Sequence, residues 1–319
     1  MNTPCPPPLR VLAPLPATVD DLVTALTQAG YVCDRPLAVS VFLALSLQRP
    51  LLLEGEPGVG KTQLAKSLAS VLGSQLLRVQ CHEGLDIAQT AYEWNVQRQL
   101  MRVRLAEASG RIRGEAAEAE LESSLYQRDM LIERPLLQAL TQPSSPVLLI
   151  DELDRADEPF DAFLLELLAE NQITVPELGT ITAIAPPITV ITSNRTREVH
   201  DALKRRCLYH WVGFPEPEHE LEIVRRRAPD AAVNLAAQVV AVVRRVRAMD
   251  LLKAPGISET IDWVRALSAL SVVCLDPETI EQTLGVLLKH REDIERLRAH
   301  DTAGLLRELQ DKGWLEQGA

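Results

Sequence analysis

The 319-residue chain has no apolar run approaching a membrane span, no Cys-x-x-Cys pair and no surplus of basic residues. The first absence leaves no candidate transmembrane segment. The five cysteines (Cys5, Cys33, Cys81, Cys207 and Cys274) are scattered. They signal neither a disulfide framework nor a zinc site, and reduced thiols in a cytoplasmic setting are the simpler reading. Because 33 Lys and Arg face 44 Asp and Glu, the formal charge is −11. That balance argues against a general nucleic-acid binder while leaving room for a local basic patch. The N-terminus lacks the charged-then-apolar order of a secretory signal, and the proline-rich stretch 1–16 is expected to be an extended arm.

What is present is a phosphate-binding loop. Gly55-Glu56-Pro57-Gly58-Val59-Gly60-Lys61-Thr62 directly follows the apolar run Pro50-Leu51-Leu52-Leu53 and precedes a helical pattern at Leu64, Leu68, Val71 and Leu72. A triphosphate needs converging backbone N–H donors and a positive charge. Glycines let the chain fold tightly around the phosphates while the following helix aims its N-terminus at them. The pattern therefore predicts that Lys61 reaches the β- and γ-phosphates and that Thr62 ligates Mg²⁺, with the nucleotide held along the whole loop, Gly55 to Thr62.

Hydrolysis also needs an acid at the end of a buried strand for the metal's water shell, and a carboxylate for the attacking water. Pro146-Val147-Leu148-Leu149-Ile150-Asp151-Glu152 offers both, since its aliphatic run reads as a parallel strand covered on both faces. Asp151 is assigned to the Mg²⁺ shell and Glu152 to the general base. A third aliphatic strand, Ile188 to Ser193, ends at Asn194, whose amide can hold the lytic water or touch the γ-phosphate. Asn after a strand is also ordinary turn chemistry.

Taken together, these motifs with Asp151-Glu152-Leu153-Asp154-Arg155-Ala156-Asp157, Ser193-Asn194-Arg195-Thr196 and Ala202-Leu203-Lys204-Arg205-Arg206 resemble the AAA+ ATPases of the MoxR type, over about 36–276. Val79 to Asp86 and Ala91 to Asn95 are most similar to the subgroup encoded with carbon monoxide dehydrogenase and related molybdenum hydroxylases. The resemblance implies a parallel α/β core with a smaller helical lid, ATP and Mg²⁺ as cofactors, and a homo-oligomeric ring, usually a hexamer. In such rings a neighbour supplies an arginine, and Arg206 matches that position; a cation there also suits a helix C-terminus. Cys207 stands where the family often has Phe. The resemblance further implies a partner with a von Willebrand A-type domain and a client protein to be remodelled. The lid's second sensing arginine is missing: Gly256 to Trp263 contains none, Glu259-Thr260 stand in its place, and Arg265 is expected on a different helical face.

Two other classes share the loop. A guanine-specific switch needs an Asn-Lys-x-Asp base reader, and Asn194-Arg195-Thr196-Arg197 lacks the acid. A DNA-directed ring motor or loader adds a basic winged or zinc module, and none is visible.

The organisation read from periodicity is an arm (1–16), an α/β nucleotide-binding domain (17–215) and a helical lid with tail (216–319). Helices are expected over Val19 to Gln28, Pro36 to Gln48, Met130 to Leu140 and Phe160 to Glu170, and a hairpin over Ile173 to Ile184. His82 to Asn95 is either a connector or an inserted element, with Tyr92 and Trp94 as aromatics that approach a substrate. Cys81 and His82 could suggest a metal pair, but neighbours on a strand point to opposite faces. The basic stretch 97–113 abuts the acidic stretch 115–122, as in a solvated helical hairpin or a subunit contact.

Overall fold

The computed structural model describes residues 8–109 and 114–299. Among the described residues nine strands occur in chain order: β1 (Leu51–Gly55), β2 (Leu76–Gln80), β3 (Tyr92–Trp94), β4 (Leu131–Glu133), β5 (Val147–Asp151), β6 (Gln172–Val175), β7 (Gly179–Thr182), β8 (Ile188–Ser193) and β9 (Leu208–Val212). The main sheet has the order β2-β5-β8-β1-β9. Its β2–β5, β5–β8 and β8–β1 pairs are parallel.

Sequence and position agree strand by strand. The aliphatic runs of β1, β5 and β8 are buried at every residue because helices cover both faces of a parallel sheet. Alternating exposure appears in β2 and β9, the two edges. Parallel pairing also sets all the β5 and β8 C-termini at one end of the sheet, where ligands of open α/β sheets bind.

The chain divides into two compact units. One contains the leading segment to Val19, Val39–Glu54 and Ala65–His210. Its core joins Leu52, Val79, Leu148, Ile150 and Ile191 to Leu136, Leu137, Leu140, Phe160, Leu164 and Leu167 from the covering helices. Residues 8–16 form no helix or strand, and Ala13 N–H donates to the Leu72 carbonyl at 3.1 Å. The other unit contains Asp20–Ala38, Gly55–Leu64 and the described residues from Trp211 onward. The helix Val233–Arg247 is the centre of its core, packed with Val264, Leu267, Ile280 and Leu284. Trp263 is fully buried there and donates its indole N–H to Thr283 Oγ1 at 2.8 Å, which satisfies the ring's polar atom.

Most expected elements are present: helices Val19–Gln28, Arg35–Leu47 and Glu158–Glu170, and an antiparallel β6–β7 hairpin. The helix expected from Met130 is a correction. Leu131–Glu133 is strand β4, paired antiparallel with β3, and the helix starts only at Pro135 (Pro135–Thr141), where a missing N–H costs nothing. His82 to Asn95 is thus an inserted element. Tyr92 and Trp94 are half-buried against the core, and Trp94 meets Tyr126 edge-on at 5.3 Å. Between β3 and β4 stand helices Val96–Ala108 and Glu115–Leu125, which bury no residue within the chain. Of the expected tail, Arg291–Ala299 is helical. Residues 300–319, residues 1–7 of the arm and residues 110–113 of the basic stretch lie outside the described residues.

Candidate nucleotide site

The chemistry-bearing residues fall into two groups, one in each compact unit. In the first unit, the ends of β5 and β8 are joined through Thr192. Its hydroxyl donates to Asp151 Oδ1 at 2.6 Å and accepts the Glu152 N–H at 2.9 Å. Asp151 is buried, and its Oδ2 accepts Arg78 Nη2 at 2.6 Å and Nε at 3.1 Å. Glu152 adopts a left-handed backbone, φ 56° and ψ 49°, uncommon for a residue with a Cβ. That turn breaks the line of β5. The Glu152 carboxylate remains partly exposed and meets Arg155 Nε at 3.2 Å.

Asn194 follows β8 in the same corner. Its N–H donates to Asp154 Oδ1 at 3.0 Å, while its side-chain amide has no partner among the described residues. Burial alone would raise the Asp154 carboxyl; hydrogen bonds from the Thr196 side chain and backbone and from the Asn194 backbone outweigh it and hold the group below the usual carboxylate range. Cys81 is the opposite case. Burial, reinforced by the charges of Asp151, Asp161 and Asp154, pushes its thiol up to about 12. Cys81 is buried, whereas its neighbour His82 is exposed.

Arg206 is exposed and reaches back to the Ala202 carbonyl at 3.0 Å, capping the short helix Asp201–Lys204. A second guanidinium fixes the backbone beneath it. Arg49 donates to the carbonyls of Arg205 at 2.9 Å, Arg206 at 3.2 Å and Cys207 at 3.4 Å.

In the second unit, the phosphate loop runs into the helix Lys61–Leu72. Lys61 Nζ donates to the Gly55 carbonyl at 2.6 Å and the Glu56 carbonyl at 2.8 Å. Gly58 and Gly60 have φ of 80° and 98°, which side chains disfavour. Gly58 also lies against Gly256, the residue that opens the helix Ile257–Ala269, and Ile257 N–H donates to the Gly58 carbonyl at 3.1 Å. A cavity of about 290 Å³ adjoins the loop, with Gly58, Gly60, Tyr31, Ile261, Asp262 and Arg265 among its walls. Its volume sits at the lower end for small-molecule sites.

Residues 50–207, just under half of the chain, match the model of the AAA domain (dynein-related subfamily). This segment is similar to the ATPase domains of that family. A segment of 51 residues, 16% of the chain, is 43% identical to Midasin of Giardia intestinalis, of which it spans 1%. Two solved structures of Thermotoga maritima RuvB variants are similar at 18% and 17% identity, both with a TM-score of 0.44. The matches cover 85% and 87% of this chain and 72% and 73% of those chains. Among the described residues no helix is long and apolar enough to cross a membrane.

Several residues around these groups were not predicted from the sequence. Thr192 was visible as a hydroxyl inside an aliphatic strand, and Arg78 as a charge inside β2, but neither pattern names the partner. Arg265, with Ile257, Ile261 and Asp262, lines the cavity beside the phosphate loop, and its Nη2 donates to the Arg227 carbonyl at 2.7 Å. Glu259 and Thr260 have other work. Glu259 Oε2 accepts the Gly256 N–H at 3.0 Å, and Thr260 is buried against the Glu220–Arg247 ion pair. Cys207, at the expected Phe position, is buried in the core of its unit.

Proposed function

We propose that this chain binds MgATP, hydrolyses its β–γ phosphoanhydride bond and uses the cycle in a homo-oligomeric ring, a hexamer, to remodel a partner protein. The observation that carries the hydrolytic reading is the β5–β8 corner. There one buried hydroxyl, Thr192, bonds both Asp151 and the Glu152 backbone, and an unpartnered Asn194 amide follows on the same strand end.

In this reading the loop amides and Lys61 bind the phosphates, and Glu152 accepts the proton of the attacking water while Asn194 orients it. Thr62 and Asp151 fit Mg²⁺, because a hydroxyl and a carboxylate are hard oxygen donors and this cation takes its remaining ligands from phosphates and water. Bound there, the cation supplies charge neutralisation of the β- and γ-phosphates. The nucleoside occupies the cavity beside Tyr31, Asp262 and Arg265.

The motor's biological setting follows from the MoxR-type resemblance of the motifs. It implies a chaperone that acts in the cytoplasm through a von Willebrand A-domain partner on a client such as a metalloenzyme. Without the family's usual lid arginine at 259–260, basal turnover is expected to be slow and to rise with the partner.

Arg206 is proposed to act across the interface with a neighbouring subunit, where a guanidinium neutralises charge developing on the transferred phosphoryl group. Mixed rings test this. Arg206→Ala and Glu152→Gln subunits are each expected to be inactive alone, yet their mixture should recover a measurable fraction of turnover. Some junctions then pair an intact Glu152 with an intact neighbouring Arg206. Complete inactivity of well-mixed assemblies would assign Arg206 to its own subunit or to capping Ala202.

A further inference from the structure

We propose that Asp154 is the positioning residue that aims Asn194, so that one turn of chain carries the base and holds the water-orienting amide. The assignment rests on the hydrolytic reading of Glu152 and Asn194 above.

Asp154 lies on the single turn Leu153–Arg155, which begins at the left-handed Glu152. Its carboxylate is buried and collects three donors from the loop after β8. Oδ1 takes the Asn194 N–H at 3.0 Å; Oδ2 takes the Thr196 N–H at 2.8 Å and the Thr196 hydroxyl at 2.6 Å. The loop needs such holding, because Arg195 between those two residues has φ of 59°.

Other attachments flank the loop without touching Asn194. Arg195 N–H donates to Ser193 Oγ at 3.1 Å, and the Arg195 guanidinium comes within 3.8 Å of the buried Glu54. Arg197 grips Asp161 through both terminal nitrogens, at 2.9 and 3.1 Å, and donates to the Ala156 carbonyl at 2.7 Å. These bonds fix the ends of the loop, while the Asn194 N–H is held by Asp154. Any shift of the turn that carries Glu152 therefore moves Asn194 with it, which keeps base and amide in register.

The positions suggest a double-mutant cycle on the full chain. Asp154→Asn presents an amide to donors that need an acceptor, and a displacement of about 1 Å at a catalytic group costs on the order of 100-fold in rate. We expect kcat to fall about 10- to 100-fold in Asp154→Asn, with KM for ATP changed less than about threefold, and no further fall when Asn194→Ala is added. Thr196→Val, which removes one of the three donors and leaves the carboxylate in place, should show a smaller kcat loss that also vanishes in the Asn194→Ala background. Thr196→Ser should restore wild-type kcat. Melting temperatures of all variants separate folding from turnover. Independent, multiplicative losses, or a lowered melting temperature with unchanged kcat, would overturn the assignment and leave Asp154 a structural residue. No turnover by the unmutated chain would instead sink the hydrolytic reading, and this assignment with it.

Discussion

Glu152→Gln should bind ATP with the affinity of the unmutated chain and lose about 10²–10⁴-fold in turnover, the span that a positioned acid–base group supplies. The substitution is nearly isosteric. Gln keeps the shape of the side chain and can accept a hydrogen bond from Arg155, which now meets the Glu152 carboxylate at 3.2 Å. It does not alter the backbone N–H that Thr192 accepts, so the left-handed turn after β5 is expected to persist. What disappears is the ability to take a proton. Nucleotide binding by fluorescence and phosphate release, measured on the same preparation, check the two halves of the expectation. Turnover near wild type would remove Glu152 from the role of base.

A second large effect is expected at Gly55, through stability rather than chemistry. The sequence motif presents Gly55 as the first glycine of a phosphate cradle. In the structure a Cβ built there would lie 2.1 Å from the Val212 carbonyl oxygen and 3.0 Å from the Val212 carbonyl carbon, both backbone atoms that no rotamer change can move. Overpacking of a well-packed site typically costs about 1–3 kcal/mol, and a backbone clash of this depth belongs at or beyond the upper end. Gly55→Ala should therefore lower the melting temperature by on the order of 10 °C, or prevent folding, with nucleotide absent. Gly84→Ala is the control: Gly84 also has a positive φ, 70°, but nothing stands within 4 Å of its Cβ position. Equal, small shifts for both would mean that β9 does not approach Gly55 as described.

The contrast between motif and contact runs through the whole molecule. Central strands were legible because a parallel strand covered on both faces is predominantly apolar, as Val147–Ile150 is throughout and Ile188–Ile191 is apart from Thr189. Strand β4 was not, since Leu131–Glu133 is held by pairing with Tyr92–Trp94 across two intervening helices, and no local pattern encodes a partner so distant. The same pairing and the Tyr126 contact pack Tyr92 and Trp94 partly against the core.

The candidate site divides along the same line. Residues that meet the ligand have chemistry fixed by type and spacing, so Lys61, Thr62, Asp151, Glu152 and Asn194 could be named from the chain alone. Residues that aim them could not. Arg78 reaches Asp151 from the neighbouring strand, Arg49 holds the carbonyls beneath Arg206, and Asp154 collects a loop some forty residues onward. Each is an ordinary surface-type residue until tertiary structure supplies its partner.

The most direct test of the account is steady-state phosphate release from ATP and Mg²⁺ by the purified chain, beside Lys61→Ala. Removing the Lys61 ammonium deletes a charge-assisted contact worth about 1.5–3 kcal/mol, so nucleotide binding should weaken roughly 10- to 150-fold. The account predicts slow, magnesium-dependent release by the unmutated chain and loss of that release in Lys61→Ala at the same ATP concentration. Release that is indifferent to both magnesium and Lys61, or no release from the unmutated chain even in the presence of co-purifying proteins, would contradict it.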